Sequence, residues 1–212
     1  MERTLPIFPL RLVLFPGAPQ PLHIFEPRYR QLLADCTAGE PRFGISCVFS
    51  QAGDPAPKPG DVGCIALIRA RRDLSDGRAN IVTMGEERYT LLEWLDSDRL
   101  YRVARVRLFD DEDAPSTESA LLAGRVETGF RRYVALVGAL HEVIAEAPPL
   151  PSDPKQLSFL VSAAVELELD VKQELLALRS TTARLERLRR LLSDAEEMVA
   201  TRLPARFRAR RN

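Results

Sequence analysis

The sequence predicts an α+β protein. A β-rich first half, residues 1–112, curls into a small bent barrel with one short helix; a helical subdomain follows over 116–200, then a basic tail, 201–212. Three observations carry this reading. Short apolar runs separated by turn residues fill the first half, the pattern of a barrel or sandwich. After the acidic run Asp110-Asp111-Glu112-Asp113 the apolar residues change to a three-four spacing. Five prolines precede residue 22 among residues that otherwise read as strands. Proline has no N–H to give a ladder, so such strands are edges, strand starts or bulges, which suits a bent barrel better than a flat sheet.

The elements follow in order. Leu5–Leu10 and Leu22–Phe25 read as the first β segments. Pro27 suits a first helical turn, and Tyr29, Leu32, Leu33 and Cys36 then share one face, with Gly39 as the stop. Phe43–Phe49 and Val62–Ile68 are buried strands flanking a Gly- and Pro-rich loop at 50–60. Asp76-Gly77 supplies turn chemistry, because it accommodates positive φ. Ala79–Met84 returns as a strand, Gly85 permits a bulge or corner, and Arg88–Trp94 and Tyr101–Leu108 complete the set.

In the second half, Leu122, Val126, Phe130, Tyr133, Val137, Leu140 and Ile144 predict one helix reaching Ala147, broken by Pro148-Pro149. Asp153 before Pro154 marks the next helix start. Asp170 with Gln173 resembles a capping box for a short helix. Leu185, Leu188, Leu192, Ala195 and Val199 form a final seam, packed either on the chain's own helices or on a second copy as a homo-oligomer contact.

The totals bound the function. With 212 residues, 45% hydrophobic and 28% charged, the chain can bury a sizeable core, and its formal net charge of zero supplies no global field to gather nucleic acid or anionic membrane. Three cysteines form no disulfide framework, and no apolar run approaches the roughly 18 residues of a membrane span, so the expected setting is reducing and cytoplasmic.

Catalytic constellations find little material. None of the three lysines, Lys58, Lys155 and Lys172, follows a glycine, which argues against a phosphate-binding nucleotide loop. Lys155 and Ser158 lie one helical turn apart, but a first-turn lysine stays solvated and charged. His23, Cys36, Cys47 and Cys64 lack metal-knuckle spacing and sit in apolar patterns. The paired carboxylates Glu86-Glu87, Asp110–Asp113 and Glu196-Glu197 read as turns, a linker and a solvated helix face. The expectation is no catalytic residue, no metal and no cofactor.

The ordered set of blocks resembles a known family. Leu5-Pro6-Ile7-Phe8-Pro9-Leu10, Val13-Leu14-Phe15-Pro16-Gly17 and Pro21–Tyr29 are similar to the start of the LON substrate-binding domain, the amino-terminal module of Lon proteases. Gly60–Ala66, Asp76-Gly77-Arg78, Arg88-Tyr89, Lys172–Leu176 and Arg184–Leu188 resemble later blocks of the same module. The resemblance implies a PUA-like fold, a stand-alone bacterial form without the ATPase and serine–lysine protease units, and a non-catalytic role in binding unfolded or partner polypeptides.

Proline-interrupted edges leave backbone groups open for such a partner, and Phe15, Pro16, Leu22, Phe25 and Tyr29 are the candidate protein-binding residues. The alternative is an RNA-binding PUA-like barrel. Its basic set is split, however: Arg105 and Arg107 share a face that Arg102 does not, and Asp73, Asp76 and Asp98 interleave the arginines.

Overall fold

A computed structural model describes residues 1–49 and 56–202. The basic stretch from 203 onward lies outside the described residues. The chain divides into two compact units: Met1–Asp110 with Leu167–Ala177, and Asp111–Glu166 with the residues from Leu178.

The first unit holds strands β1 (Glu2–Leu10), β2 (Pro19–Ile24), β3 (Arg42–Cys47), β4 (Val62–Asp73), β5 (Ala79–Leu95) and β6 (Arg102–Phe109), with helix α1 (Pro27–Ala38) and helix α4 (Leu169–Ala177). β1 pairs in parallel with β3 and antiparallel with β6, while β3–β4, β4–β5 and β5–β6 are antiparallel. The pairings therefore run β1–β3–β4–β5–β6 and return to β1. Among the described residues β2 pairs with β5 alone and is the open edge.

The two strands expected on either side of Gly85 are one strand of 17 residues. β5 keeps going because its first part serves β2 and its later part serves β6. The position expected to make a corner instead makes a close approach. Gly85 exchanges backbone hydrogen bonds with the turn before β2, Gly17 N to Gly85 O (2.8 Å) and Gly85 N to Ala18 O (3.0 Å). A Cβ there would stand 2.1 Å from the Phe15 carbonyl oxygen.

Alternation along the strands builds two cores in this unit. In one, Phe8, Phe43, Ile45 and Ile81 meet the α1 stripe Tyr29, Leu32, Leu33 and Cys36. The Phe8 and Tyr29 rings stack with centroids 3.8 Å apart. Burying each large stripe residue stabilises by about 1.5–3 kcal/mol. In the other, Leu5, Ile7, Ile65, Leu91 and Val106 surround Tyr89. The Tyr89 hydroxyl shares a 2.8 Å hydrogen bond with Ser46, and a Cβ on Gly63 would fall 2.4 Å from that hydroxyl.

Helix α4 joins the strands rather than the later helices with which its sequence position groups it. Gln173 Nε2 donates to the Val62 carbonyl (2.8 Å), so it is turned toward β4 rather than serving as a cap. Arg88 of β5, almost wholly buried, donates to the Leu176 carbonyl (2.9 Å) with its guanidinium 4.6 Å from the Phe109 ring.

The second unit holds α2 (Thr117–Leu140), α3 (Pro154–Ala164) and α5 (Thr181–Arg202). Ser116 and Ser119 form a capping box at the start of α2, and Asp153 Oδ1 accepts from Gln156 N at the start of α3. α2 stops at Leu140, short of the expected Ala147, because Glu142 turns into the left-handed region (φ 58°) and Val143 N bonds back to the Gly138 carbonyl. The seam Leu185, Leu188 and Leu192 is buried within this unit, Leu192 lying against Gly129 of α2. A second copy would have to displace those contacts.

Two members of the acidic run, Asp111 and Asp113, are not solvated. Asp111 pairs with Arg184, whose guanidinium also bonds Ser158 and lies 3.9 Å from the Phe159 ring. Asp113 accepts from Thr181 N, Thr182 N and the Ser180 hydroxyl at 2.8–2.9 Å, and Ser180 Oγ accepts from Ala183 N. Three orphan donors at the start of α5 are thereby satisfied. Glu196, expected on a solvated face, is buried and paired with Arg132.

Candidate functional site

The five candidate binding residues divide by burial. Phe15 and Tyr29 are core side chains, because the close turn against Gly85 encloses the one and stacking on Phe8 encloses the other. Pro16 and Leu22 are half-buried. Phe25, at the β2–α1 corner, is 58% exposed, its ring centroid 5.9 Å from that of His23.

Two concavities of the first unit meet this corner. The first is a groove of about 350 Å³ formed by β1, the start of α1 and the β5–β6 connection. Ile7, Tyr29 and Tyr101, all buried, make its floor. Arg28 rests its guanidinium 4.7 Å from the Tyr29 ring centre and donates from Nε to Glu26 (3.0 Å). Arg102 lies 5.5 Å from the centre of the Trp94 ring, whose Nε1 donates to the Pro57 carbonyl (3.1 Å). Arg99 and the Tyr101 hydroxyl both donate to Asp35 Oδ2 at 2.8 Å. Burial first, then the bond to Asp35 and its charge, push the Tyr101 hydroxyl up to about 12, so it stays a donor. Leu100, 63% exposed, belongs to the groove lining, and its N–H donates to Gln31 Oε1 (2.8 Å).

The second is a hollow of about 440 Å³ lined by Pro21–His23, Ala70–Arg72 and Asn80–Val82. His23 Nδ1 donates to Asn80 Oδ1 (2.7 Å). Leu22 lines the hollow and Tyr29 the groove, so the single segment Leu22–Tyr29 serves both.

The open edge of β2 does not offer the backbone ladder that its sequence suggests. Pro19 and Pro21 share one parity with His23, and Gln20, Leu22 and Ile24 share the other. Only the second set can donate throughout to β5, so the prolines turn their donorless nitrogens to the open side. Six residues there keep one outward backbone donor, that of His23. An added strand would find little to bind, and recognition falls to side chains.

Other chemistry-bearing residues are committed elsewhere. Ser158, buried, donates to the Lys155 carbonyl (2.7 Å) and accepts from Arg184 Nε (2.8 Å). Burial pushes the Cys36 thiol up to about 12 and that of Cys47 to about 11, and also raises that of Cys64. Among the described residues no three His, Cys, Asp or Glu side chains converge as metal ligands. Arg71, Arg78, Arg105 and Arg107 pair with Asp73, Asp76, Glu93 and Glu2, so these four charges are locally neutralised. No described helix is long and apolar enough to cross a membrane.

Sequence reasoning missed Trp94, Leu100, Tyr101 and Arg102 as lining residues. Trp94 lies at the end of β5 and Arg102 begins β6, with Leu100 and Tyr101 between them, and strand period alone does not say that these two ends face one groove.

Comparison with known proteins places these features. A family model described as the ATP-dependent protease La (LON) substrate-binding domain matches residues 4–194. The chain is 28% identical over 195 residues to a Lon protease of Solibacter usitatus, covering 90% of this chain and 24% of that protein. It is 26% identical over 201 residues to one of Anaeromyxobacter dehalogenans, covering 92% and 24%. The chain thus spans about a quarter of the length of these curated relatives. Among solved structures, a Lon N-terminal domain protein from Xanthomonas campestris superposes with a TM-score of 0.64 at 25% identity, covering 90% of this chain and 98% of that one. The N-terminal domain of a Mycobacterium avium complex Lon protease superposes at 0.67 with 19% identity, covering 92% and 98%.

Proposed function

The chain belongs to the LON substrate-binding domain family, and from that premise we propose that it is a non-catalytic module that binds polypeptides through the β2–α1 corner. The observation that carries this is Phe25, a large apolar side chain 58% exposed in the segment whose residues on either side line the two concavities. Singly exposed apolar residues are ordinary on surfaces. This one stands beside the His23 ring, and the segment containing it lines both hollows, which gives a polypeptide apolar contact with defined flanks.

Binding here is by side chains into pockets rather than by strand addition. Phe15 and Tyr29 support the surface from beneath; Pro16, Leu22 and Phe25 are the members of the candidate set that a partner reaches. Fluorescence anisotropy with a labelled, permanently unfolded polypeptide and with a single-stranded RNA tests the reading. The polypeptide binds and Phe25→Asp abolishes binding without changing the melting temperature. Binding of the RNA alone would overturn the proposal.

A further inference from the structure

We propose that the hollow on the solvent side of β2, β5 and β4 seats an extended stretch of the bound polypeptide through an apolar side chain and an acidic one two positions from it. The inference rests on the polypeptide-binding reading above and adds a sequence preference to it. Strand register sets two rows of side chains there. His23 pairs with Asn80, which pairs on its other side with Arg72. Pro21 pairs with Val82, which pairs on its other side with Ala70. Residues paired in this way share one face of a sheet. All six are exposed and line the hollow of about 440 Å³. The first row is polar and the second apolar. The exposed Phe25 ring adjoins the polar row, 5.9 Å from the His23 ring.

The charge in the hollow comes down to one group. Among the described residues its lining holds no carboxylate. Of its two arginines, Arg71 is bound to Asp73 and to the Thr37 hydroxyl. Arg72 makes no hydrogen bond, ion pair or ring contact among the described residues. Asp73 and Asp76, the carboxylates closest to it in sequence, are held by Arg71 and Arg78. Arg72 is therefore left to meet a carboxylate brought by a partner. The two rows are two residues apart along each strand, about 7 Å. Side chains on one side of an extended polypeptide repeat at that same spacing. A segment lying along the strands thus sets its apolar residue on Pro21, Val82 and Ala70 and its acidic residue against Arg72. An RNA strand carries a charge on every nucleotide and needs several cations in line, and of the lining arginines the hollow offers it only Arg72.

The test uses the full chain and three labelled peptides, acetylated and amidated so that no terminal charge contributes. Each has a central leucine in a serine background. The first carries glutamate two positions away on both sides, which covers either direction of binding. The second carries glutamine there, and the third carries glutamate at the adjacent positions instead. The first binds about three- to fivefold more tightly than either of the others at low salt, the scale of an exposed charge pair, and the margin shrinks at high salt. Arg72→Gln removes the margin and leaves the affinity for the glutamine peptide unchanged, whereas Arg72→Lys keeps part of it. Val82→Ser weakens all three peptides severalfold. Equal binding of the first peptide and either of the others, a margin that survives Arg72→Gln, or unchanged affinity in Val82→Ser overturns the inference and leaves polypeptide binding intact. So does failure of all three peptides while the unfolded polypeptide binds; failure of that polypeptide as well overturns both readings. Single-stranded RNA that displaces the first peptide at a lower concentration than its own unlabelled copy does assigns the hollow to nucleic acid and overturns the inference too.

Discussion

Arg184 and Asp111 face each other with their side chains 0% and 3% exposed, an ion pair enclosed within the helical unit. Removing either partner leaves an uncompensated buried charge, a loss of about 3–5 kcal/mol. Arg184→Met and Asp111→Ala each lower the unfolding free energy by that amount, read from urea titrations by circular dichroism at 222 nm. The double variant Arg184→Met/Asp111→Leu recovers part of it, because no buried charge is left alone.

Asp113 makes the start of α5 sensitive to acid. Burial acts to raise its pKa, but the bonds from Thr182 and Thr181 N–H outweigh this and hold the carboxyl well below the usual carboxylate range. An acid with a depressed native pKa adds stability in full above its unfolded value of roughly 3.9, and loses it as pH falls toward the native value. Asp113→Ala therefore costs about 1–2 kcal/mol at pH 7, and the gap from wild type begins to narrow below about pH 4 and shrinks further toward pH 2. Unfolding midpoints across pH 2–7 check both parts.

Two glycines separate close approach from mere flexibility. Gly85→Ala drives a methyl into the Phe15 carbonyl, backbone against backbone, and destabilises by about 3 kcal/mol or more. Gly124, within α2, has nothing within 4 Å of a built Cβ, so Gly124→Ala stabilises by about 0.5–1 kcal/mol. Thermal unfolding of the two variants separates in opposite directions.

Cys36, Cys47 and Cys64 are buried, and burial raises all three thiols above their ordinary range. A thiolate is the reactive form, so the native chain at pH 8 reacts slowly with a thiol reagent. The chain unfolded in guanidinium reacts promptly at three sites, as its three cysteines require.

Much of the architecture was legible residue by residue. Tyr29, Leu32, Leu33 and Cys36 sit on one buried face of α1, as their spacing implies, and Gly77 takes the positive φ its turn needs. The misreadings share one cause: partners distant in sequence. Asp111 and Asp113 look like a charged linker until Arg184 and Thr181 arrive from about 70 residues away. α4 has helical spacing but no local sign that Arg88 and Val62 are its neighbours. Of the proposed site, strand and helix periods mark Leu22 and Tyr29 as apolar residues at a corner, and the structure makes the first half-buried and the second a core side chain. They do not mark Trp94 and Arg102, because the groove these two line exists only once β5 and β6 have paired.

The central claim is that polypeptide is recognised at the β2–α1 corner. Titration of an unfolded polypeptide into isotopically labelled protein, followed amide by amide in NMR spectra, tests it most directly. The account predicts saturable shifts concentrated in Leu22–Tyr29 and Trp94–Arg102, lost in Phe25→Asp. Shifts confined to α2 and α5, or none at millimolar polypeptide, would contradict it.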